Sequence, residues 1–200
     1  MLKRVPQGKL QRKKAQLPFR MREVGAWNHA SLLHSVLKIE ESFWLENKER
    51  NSLYPIHFST QSLPILWHSE SLENHVLGKK NERNYDLLSF DFILQQLEPL
   101  YFDFFGKGSF FRVLLTRLPS QQKILPHFDY HDSLMRVRRT HLPLQVNSQT
   151  FFSVENEEFF HEPGKIYELN NAKIHGVTNS GSKARINLII DYLPEENYLR

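Results

Sequence analysis

Two histidines and one aspartate in the second half of the chain have the types and spacing of a metal site. His127 and Asp129 stand two residues apart in the strand-like run KILPHFDYHD, and His175 follows in LNNAKIHGVTNSG, just before the last predicted strand. Side chains at i and i+2 of a strand share a face, so one imidazole and one carboxylate can meet at a metal. Two His and one carboxylate leave the opposite face of an ion open, as in non-haem iron(II) oxygenases.

An HxD triplet alone is a weak signal, and Arg185 strengthens it. Arg185 lies ten residues after His175 on the run RINLIIDYL, where alternation places Arg185, Asn187 and Ile189 on one face. A buried guanidinium among apolar neighbours is costly without an anionic partner. A dicarboxylate co-substrate would supply that partner through a bidentate pair.

The segments that position these residues are predicted to be mainly β. From Ser109 onward, short β-rich runs are separated by turn residues. The predicted strands are Phe110–Leu118, Lys123–His127, Thr140–Val146, Phe151–Val154, Glu158–His161, Lys165–Leu169 and Arg185–Tyr192. This number and spacing of strands favours a jelly-roll or another β-sandwich, with two N-terminal helices packed on its outside.

Both helices are predicted from apolar residues at three- and four-residue spacing. The first covers about 27–47, with Asn28 as its N-cap. The second covers 89–106, and Pro99 would bend or break it. Between them, residues 50–85 suggest short extended pieces and a mobile loop.

Composition limits the remaining possibilities. The chain has no Cys and ten His, which excludes disulfides, thiolate zinc sites and cysteine nucleophiles, so a metal must be held by nitrogen and oxygen. No apolar run approaches the roughly 20 residues that cross a bilayer, and the N-terminus lacks the apolar region of a secretory signal. We therefore expect a soluble, cytoplasmic protein with no membrane partner.

The positive charge is concentrated at the N-terminus. Residues 1–22 hold eight Lys and Arg and no acid, which leaves 18 Lys and Arg against 22 Asp and Glu in the rest of the chain. We expect a basic, flexible arm over 1–22 and no nucleic-acid binding. A single domain over 23–200 would follow, with a helical part over 23–108 and a β-rich core over 109–193.

The order of the motifs resembles the aspartyl/asparaginyl β-hydroxylase family of 2-oxoglutarate oxygenases. The segments that carry the resemblance, between Phe110 and Leu193, are TRLPSQQKILPHFD, RRTHLPL, EPGKIYELNNAKIHGVTNSG and ARINLIIDYLP. The resemblance implies a double-stranded β-helix, which is a jelly-roll, cupin-like fold. It also implies a dioxygenase that uses Fe(II), 2-oxoglutarate and O2 to hydroxylate an amino acid or an amino-acid side chain.

By this resemblance, His127 and His175 bind the iron, and Arg185 pairs with the far carboxylate of 2-oxoglutarate. The animal enzymes of the family lack a carboxylate two residues after the first His, whereas this chain has Asp129. It therefore resembles bacterial members with a complete HxD motif, among them hydroxylases of free proline. A small-molecule or peptide substrate, of the Asp/Asn type or the free-proline type, is expected.

Three further residues match co-substrate contacts of the family. Thr116 falls where the family places a hydroxyl on the far carboxylate, and Arg139 and His141 in RRTHLPL match a pair near the keto-acid end. The residue types alone leave other readings open. Thr116 could be an ordinary strand threonine, and Arg139 could be an arginine that solvates a loop.

Two other functions remain possible from the sequence. A cupin-like metal-binding or isomerase protein would need the metal ligands but neither Arg185 nor Thr116. An interaction protein would use its basic arm and carry an inert β-domain. Of the nearby side chains, His131 and Asp132 are predicted in a polar loop and His161 in a turn. The pairs Phe151-Phe152 and Phe159-Phe160 are predicted in the core rather than in a substrate cage.

Overall fold

The computed structural model describes residues 14–46, 55–67, 79–81, 84, 88–129 and 131–195. Strands are the main elements of this part of the chain. In chain order the elements are β1 Met21–Ala26, α1 Ala30–Val36, α2 Glu41–Glu46, a 3-10 turn Pro55–His57, β2 Gln61–Trp67, β3 Lys79–Lys80, α3 Phe90–Phe105, β4 Gly108–Leu118, β5 Gln122–His127, α4 Asp132–Arg136, β6 Arg138–Gln145, β7 Thr150–Val154, β8 Glu157–Phe159, β9 Lys165–Leu169, β10 His175–Asn179 and β11 Arg185–Pro194.

Two antiparallel sheets form the body of the protein. The larger sheet has the strand order β1-β9-β6-β11-β4-β2-β3, and the smaller has the order β5-β10-β7-β8. Apolar side chains of α1, α2 and α3 pack on one face of the larger sheet. A second cluster joins the two sheets, with Leu118 and Leu169 from the larger sheet and Phe152 and Val177 from the smaller. This is the predicted jelly-roll, a double-stranded β-helix with flanking helices.

Strand β11 shows how the sequence separates the two faces of the larger sheet. Ile186, Leu188 and Ile190 belong to the apolar cluster shared with the helices. Because successive strand residues alternate, Arg185 and Asn187 lie on the face toward the smaller sheet. The predicted alternation on this strand is confirmed, and it places the polar residues between the sheets.

The helix prediction over 27–47 is wrong in its continuity, because α1 and α2 are separate. After α1, Lys38 N–H donates to Ser35 O and Ile39 N–H to Val36 O, which tightens the chain and ends the helix. The N-cap of α1 is His29, so the prediction of Asn28 as N-cap is wrong, although Asn28 Oδ1 accepts a hydrogen bond from Ala30 N–H.

The extent of the second helix is confirmed, but the break expected at Pro99 is absent. Helix α3 runs without a break through Pro99, so the proline does not end it. At its C-terminus, Gly106 adopts a φ of 77°, and its N–H donates to Phe102 O.

Among the described residues, no helix is long and apolar enough to span a membrane.

Strands are also present where the sequence analysis predicted a helical part or no strand. β1 and β2 belong to the larger sheet, and β10 begins at His175 in the smaller sheet. The region 23–108 therefore contributes strands as well as helices. The mobile loop predicted within 50–85 lies partly outside the described residues.

The predicted arm ends earlier than residue 22. Lys14 is 8% exposed and Met21 is 9% exposed, and Met21 begins β1, which pairs with β9. The boundary at residue 22 is therefore wrong, because residues 14–22 are part of the fold. Residues 1–13 lie outside the described residues.

We expect that deletion of residues 1–22 destabilises the protein, because it removes the Lys14 contacts and the buried Met21. Loss of a buried Met side chain alone costs about 2–5 kcal/mol. Urea unfolding of the full chain and of variants lacking 1–13 or 1–22 would measure the effect. Equal free energies of unfolding in the variants lacking 1–13 and 1–22 would contradict the placement of this segment.

Candidate metal and co-substrate site

The three predicted metal ligands come together where β5 ends and β10 begins. His127 pairs with His175 in the smaller sheet, and their ring centroids are 4.4 Å apart. Candidate ligand atoms of His127, Asp129 and His175 all lie within 4.8 Å of one another. This arrangement combines two imidazoles and a carboxylate from segments about 50 residues apart in the chain.

A bulge in the pairing of β5 with β10 sets the position of His127. The register shifts between His175 and Val177, where the two strands approach closely. A Cβ on Gly176 would lie 3.0 Å from Ile124 O and 3.3 Å from Pro126 N. The absence of a side chain at residue 176 therefore permits the close approach that brings the two imidazoles side by side.

Backbone carbonyls orient both imidazoles. His127 Nδ1 lies 2.8 Å from Leu125 O, and His175 Nδ1 lies 2.9 Å from Lys173 O. A carbonyl oxygen only accepts, so each Nδ1 carries the hydrogen and donates it. This leaves the unprotonated Nε2 of each ring to bind a metal, in the arrangement usual for ligating histidines.

Asp129 is held by both its backbone and its side chain. Its N–H donates to Asn171 O at 2.9 Å, and its Oδ2 accepts from Asn171 Nδ2 at 2.9 Å and Arg139 Nη1 at 2.8 Å. Burial alone would raise the pKa of this carboxyl, but Arg139, His175 and the Asn171 amide hold it well below its usual range. The carboxylate is therefore ionised and has Oδ1 to offer to a cation.

Arg139 connects Asp129 to a second buried carboxylate. Its Nε and Nη2 donate to the two oxygens of Asp191 at 2.7 and 2.8 Å, and Arg112 Nε donates to Asp191 at 2.9 Å. Burial would lower the pKa of Arg139, but Asp191 and Asp129 raise it above its ordinary value. The three bonds use three of its five N–H groups. Arg139 therefore binds both carboxylates, whereas the sequence had predicted that it contacts the co-substrate.

Arg185 is buried without an ion pair to any described residue. Its exposure is 3%, and its Nη2 has no hydrogen-bond partner in the part of the chain that the structure describes. Burial lowers the pKa of this guanidinium to about 10. The group nevertheless remains charged near neutral pH, so an anion is the partner that would offset its burial.

Thr116 and His141 lie on the same face of the larger sheet as Arg185. Thr116 pairs with Asn187 on β11, and its hydroxyl donates to Asn187 O at 2.9 Å. Asn187 Nδ2 lies 3.2 Å from His141 Nδ1. Since an amide nitrogen donates, His141 Nδ1 accepts and its proton sits on Nε2, which is buried without a partner among the described residues.

The ring of His141 is neutral. Burial, followed by the nearby charge of Arg185, places the pKa of His141 well below its ordinary value. The neutral ring therefore presents an N–H donor beside the guanidinium. Both groups suit an acceptor-rich, negatively charged ligand.

Sequence analysis missed His161, which it predicted in a turn. The turn itself is confirmed, since Gly164 has a φ of 84°, but the His161 side chain is 8% exposed. Its ring stacks on Tyr167 at 4.5 Å and on Phe152 at 5.0 Å, and lies 6.3 Å from His141. Its Nδ1 is buried without a described partner. His161 lies at the site because its ring stacks on Tyr167, which pairs with His141 across β9 and β6. The sequence around His161 gives no sign of this long-range pairing.

The remaining side chains near the motifs are divided between the interior and the surface. His131 precedes α4, and its Nδ1 lies 3.2 Å from Ser133 Oγ. Phe152 is buried as predicted, whereas Phe160 is 62% exposed and packs on Phe151 at 4.9 Å. The core prediction for the aromatic pairs is therefore wrong for Phe160, because alternation along a strand turns one member of a pair outward.

A separate open cavity of about 470 Å³ lies away from this cluster. It is lined by Phe58 and Leu125 and by residues at the far ends of β5 and β10, including Gln122 and Asn179. Since Gln122 pairs with Asn179 whereas His127 pairs with His175, most of this cavity is at the opposite end of the two strands from the metal-ligand cluster. The geometry of the buried polar groups, rather than cavity size, identifies the candidate site.

Comparisons with solved structures support the fold. An oxidoreductase of the 2OG-Fe(II) oxygenase family from Burkholderia pseudomallei is 12% identical with a TM-score of 0.55, covering 96% of this chain and 92% of its own. A viral collagen prolyl hydroxylase from Paramecium Bursaria Chlorella virus-1, solved with 2OG, is 8% identical with a TM-score of 0.51, covering 88% and 97%. A Trichoplax adhaerens prolyl hydroxylase, solved with a hypoxia inducible factor peptide fragment, is 12% identical with a TM-score of 0.51, covering 96% and 93%.

Sequence comparison identifies the family. No significant match is found among curated protein sequences. The family model for Aspartyl/Asparaginyl beta-hydroxylase matches residues 58–194, which is more than half of the chain and includes every residue of the candidate site. The protein therefore belongs to the aspartyl/asparaginyl β-hydroxylase family and is a 2-oxoglutarate-dependent hydroxylase.

Proposed function

We propose that this hydroxylase holds Fe(II) through His127, Asp129 and His175, and 2-oxoglutarate through Arg185. The observation that carries the proposal is the buried guanidinium of Arg185, which has no ion pair with any described residue. A metal-binding sandwich without a dicarboxylate partner would have no use for it. The ligand set also fits the metal, since two imidazoles and one carboxylate with open positions suit non-haem Fe(II).

The groups around Arg185 fit the far carboxylate of 2-oxoglutarate. The guanidinium offers a planar pair of N–H donors, and the Thr116 hydroxyl lies on the same face of the sheet. His141, which the family resemblance placed near the keto-acid end, lies beside Asn187 on the Arg185 face and adds its Nε2–H here, and the ring of His161 is a second buried imidazole. Arg139 keeps two N–H groups beyond its bonds to the two aspartates, and these are available to the keto-acid end.

When bound, Fe(II) and 2-oxoglutarate supply the oxidation that turns a C–H bond of the substrate into C–OH with O2, releasing succinate and carbon dioxide. The protein's own residues bind and orient. Backbone carbonyls fix the rings of His127 and His175, and the Asn171 and Arg139 donors fix one oxygen of Asp129. Phe152 and Tyr167, which belong to the apolar cluster between the sheets, would exclude water from the bound co-substrate.

We propose an amino acid or an amino-acid side chain as the substrate. The family name supports an Asp or Asn side chain. Asp129 and the two prolyl hydroxylases of similar fold support a proline-type substrate. Mass spectrometry for a +16 product against free amino acids and Asp-, Asn- or Pro-containing peptides would separate these classes.

Succinate formation tests the co-substrate assignment without knowledge of the substrate. Aerobic incubation of the protein with Fe(II), ascorbate and 2-oxoglutarate should yield succinate by slow uncoupled turnover. Omission of iron should stop it, and so should the His175→Ala variant. A protein that binds the metal but never consumes 2-oxoglutarate would instead fit a cupin-like binding protein.

Metal addition is expected to stabilise the protein. Because a metal held by three folded-state ligands binds the native chain far better than the unfolded one, Mn²⁺ at 100 times its Kd should add about 2.7 kcal/mol. Thermal unfolding with and without Mn²⁺ would measure the shift, with His175→Ala as the control. The same Mn²⁺-dependent shift in parent and variant would contradict the proposed ligands.

A further inference from the structure

The side chain of Lys14 is a buried amine that is not part of the metal-ligand cluster. Its Nζ donates to Leu134 O at 2.8 Å and to Val137 O at 2.7 Å. Leu134 lies within α4 and Val137 just before β6, so the Lys14 amine joins two elements more than 100 residues further along the chain. Burial is the main reason that the pKa of Lys14 falls to about 7, since nearby Asp191 acts in the opposite direction.

Two adjacent asparagines connect this contact to Asp129. Asn171 Nδ2 donates both to Asp129 Oδ2 at 2.9 Å and to Leu134 O at 3.2 Å, so Leu134 O accepts from Lys14 and Asn171 together. The preceding Asn170 uses its Nδ2 to hold Lys14 O at 3.0 Å and Phe19 O at 3.2 Å. One asparagine therefore fixes the N-terminal segment, and the other fixes the carboxylate.

Asp129 needs external support because of where it lies. It follows the end of β5 at His127, so no ladder of strand hydrogen bonds holds it among the described residues. Its carboxylate is fixed by Asn171 and by Arg139, which is only two residues beyond Val137. Lys14 therefore shares the Leu134 O acceptor with Asn171 and contacts the chain two residues before Arg139.

We propose that Lys14 is a positioning residue for the Asp129 ligand. This inference rests on the proposed function, and specifically on Asp129 as a metal ligand. The Lys14 amine holds α4 and the residue before β6 in place, so that Asn171 and Arg139 keep Oδ2 of Asp129 engaged and Oδ1 free for the metal. Residues 14–19 thus belong to the support of the site rather than to a solvated arm.

A double-mutant cycle in the full chain separates positioning from general stability. Lys14→Met keeps a similar length but removes the charge and the donors, and Co²⁺ affinity is measured by calorimetry. Loss of an outer-shell partner typically lowers metal affinity about 10–100-fold, and we expect that loss here. In an Asp129→Ala background, where two imidazoles still bind Co²⁺, Lys14→Met should change the affinity little.

Two further variants serve as a control and as a second test of the inference. Lys38→Met alters an exposed lysine and should leave Co²⁺ affinity unchanged. Asn170→Ala releases the Lys14 and Phe19 carbonyls without touching Asp129. If Lys14→Met fails to fold, Asn170→Ala replaces it in the cycle and should lower Co²⁺ affinity only when Asp129 is present. An unchanged affinity in both Lys14→Met and Asn170→Ala, or an equal loss with and without Asp129, overturns the inference. A parent protein that binds no Co²⁺ overturns the metal site itself.

Discussion

Arg185→Ala is expected to weaken 2-oxoglutarate binding by about 2–5 kcal/mol, which is roughly 30-fold to several thousand-fold in Kd. The guanidinium is 3% exposed and has no ion pair with a described residue, so the co-substrate would be its counter-charge. Removal leaves the far carboxylate desolvated beside His141, a neutral donor. Anaerobic calorimetry with Mn²⁺ in place of Fe²⁺ would measure the change.

The milder variant Arg185→Lys keeps the charge but loses the planar fork. It should cost about 1–3 kcal/mol of 2-oxoglutarate binding. Metal affinity without the co-substrate should barely move in either variant, and Arg20→Ala, at an exposed arginine, should bind 2-oxoglutarate as the parent does. If Arg185→Ala binds 2-oxoglutarate as tightly as the parent, the co-substrate assignment is wrong.

His175→Ala is expected to lower metal affinity by more than about 100-fold, because outer-shell changes alone typically cost 10–100-fold. His175 is 6% exposed, and its ring is fixed by the Lys173 carbonyl, so no neighbouring group replaces its Nε2. His127→Ala should behave similarly. Asp129→Ala should lose less, since both imidazoles remain.

Metal titration together with circular dichroism would separate ligand loss from unfolding. His131→Ala is the matched control, because this histidine lies close in sequence to the motif but contacts Ser133 instead of the cluster. All variants should keep the β-sheet signal. Unchanged affinity in two of the three ligand variants would exclude the triad.

The sequence predicted the site well where local pattern determines geometry. The alternation along β11, which turns Arg185 and Asn187 inward, depends only on strand periodicity. The strand relation expected between His127 and Asp129 is wrong, because β5 ends at His127 and Asp129 is held by Asn171 and Arg139 instead. β1 was missed for the opposite reason. Its sequence MREVGA shows no clear alternation, and it is a strand because it pairs with β9, more than 130 residues away.

The sequence also did not predict which side chains the charged residues contact. Arg139 was placed at the site, but its bonds to Asp129 and Asp191 depend on the register of β6 against β11. In the sequence, Lys14 is one of eight basic residues in the predicted arm, and its neighbouring residues give no sign that its side chain is buried. Long-range pairing decides these contacts, and a single sequence does not display it.

The central place of β11 has a consequence for biosynthesis. This strand is the fourth of seven in the larger sheet, lies between β4 and β6, and carries both Arg185 and Asp191. A nascent chain that has not yet released residues 185–194 from the ribosome therefore has β4 and β6 with unpaired edges. It also lacks the guanidinium proposed to hold 2-oxoglutarate. On the proposed function, 2-oxoglutarate would therefore be bound only after residues 185–194 have entered the larger sheet between β4 and β6.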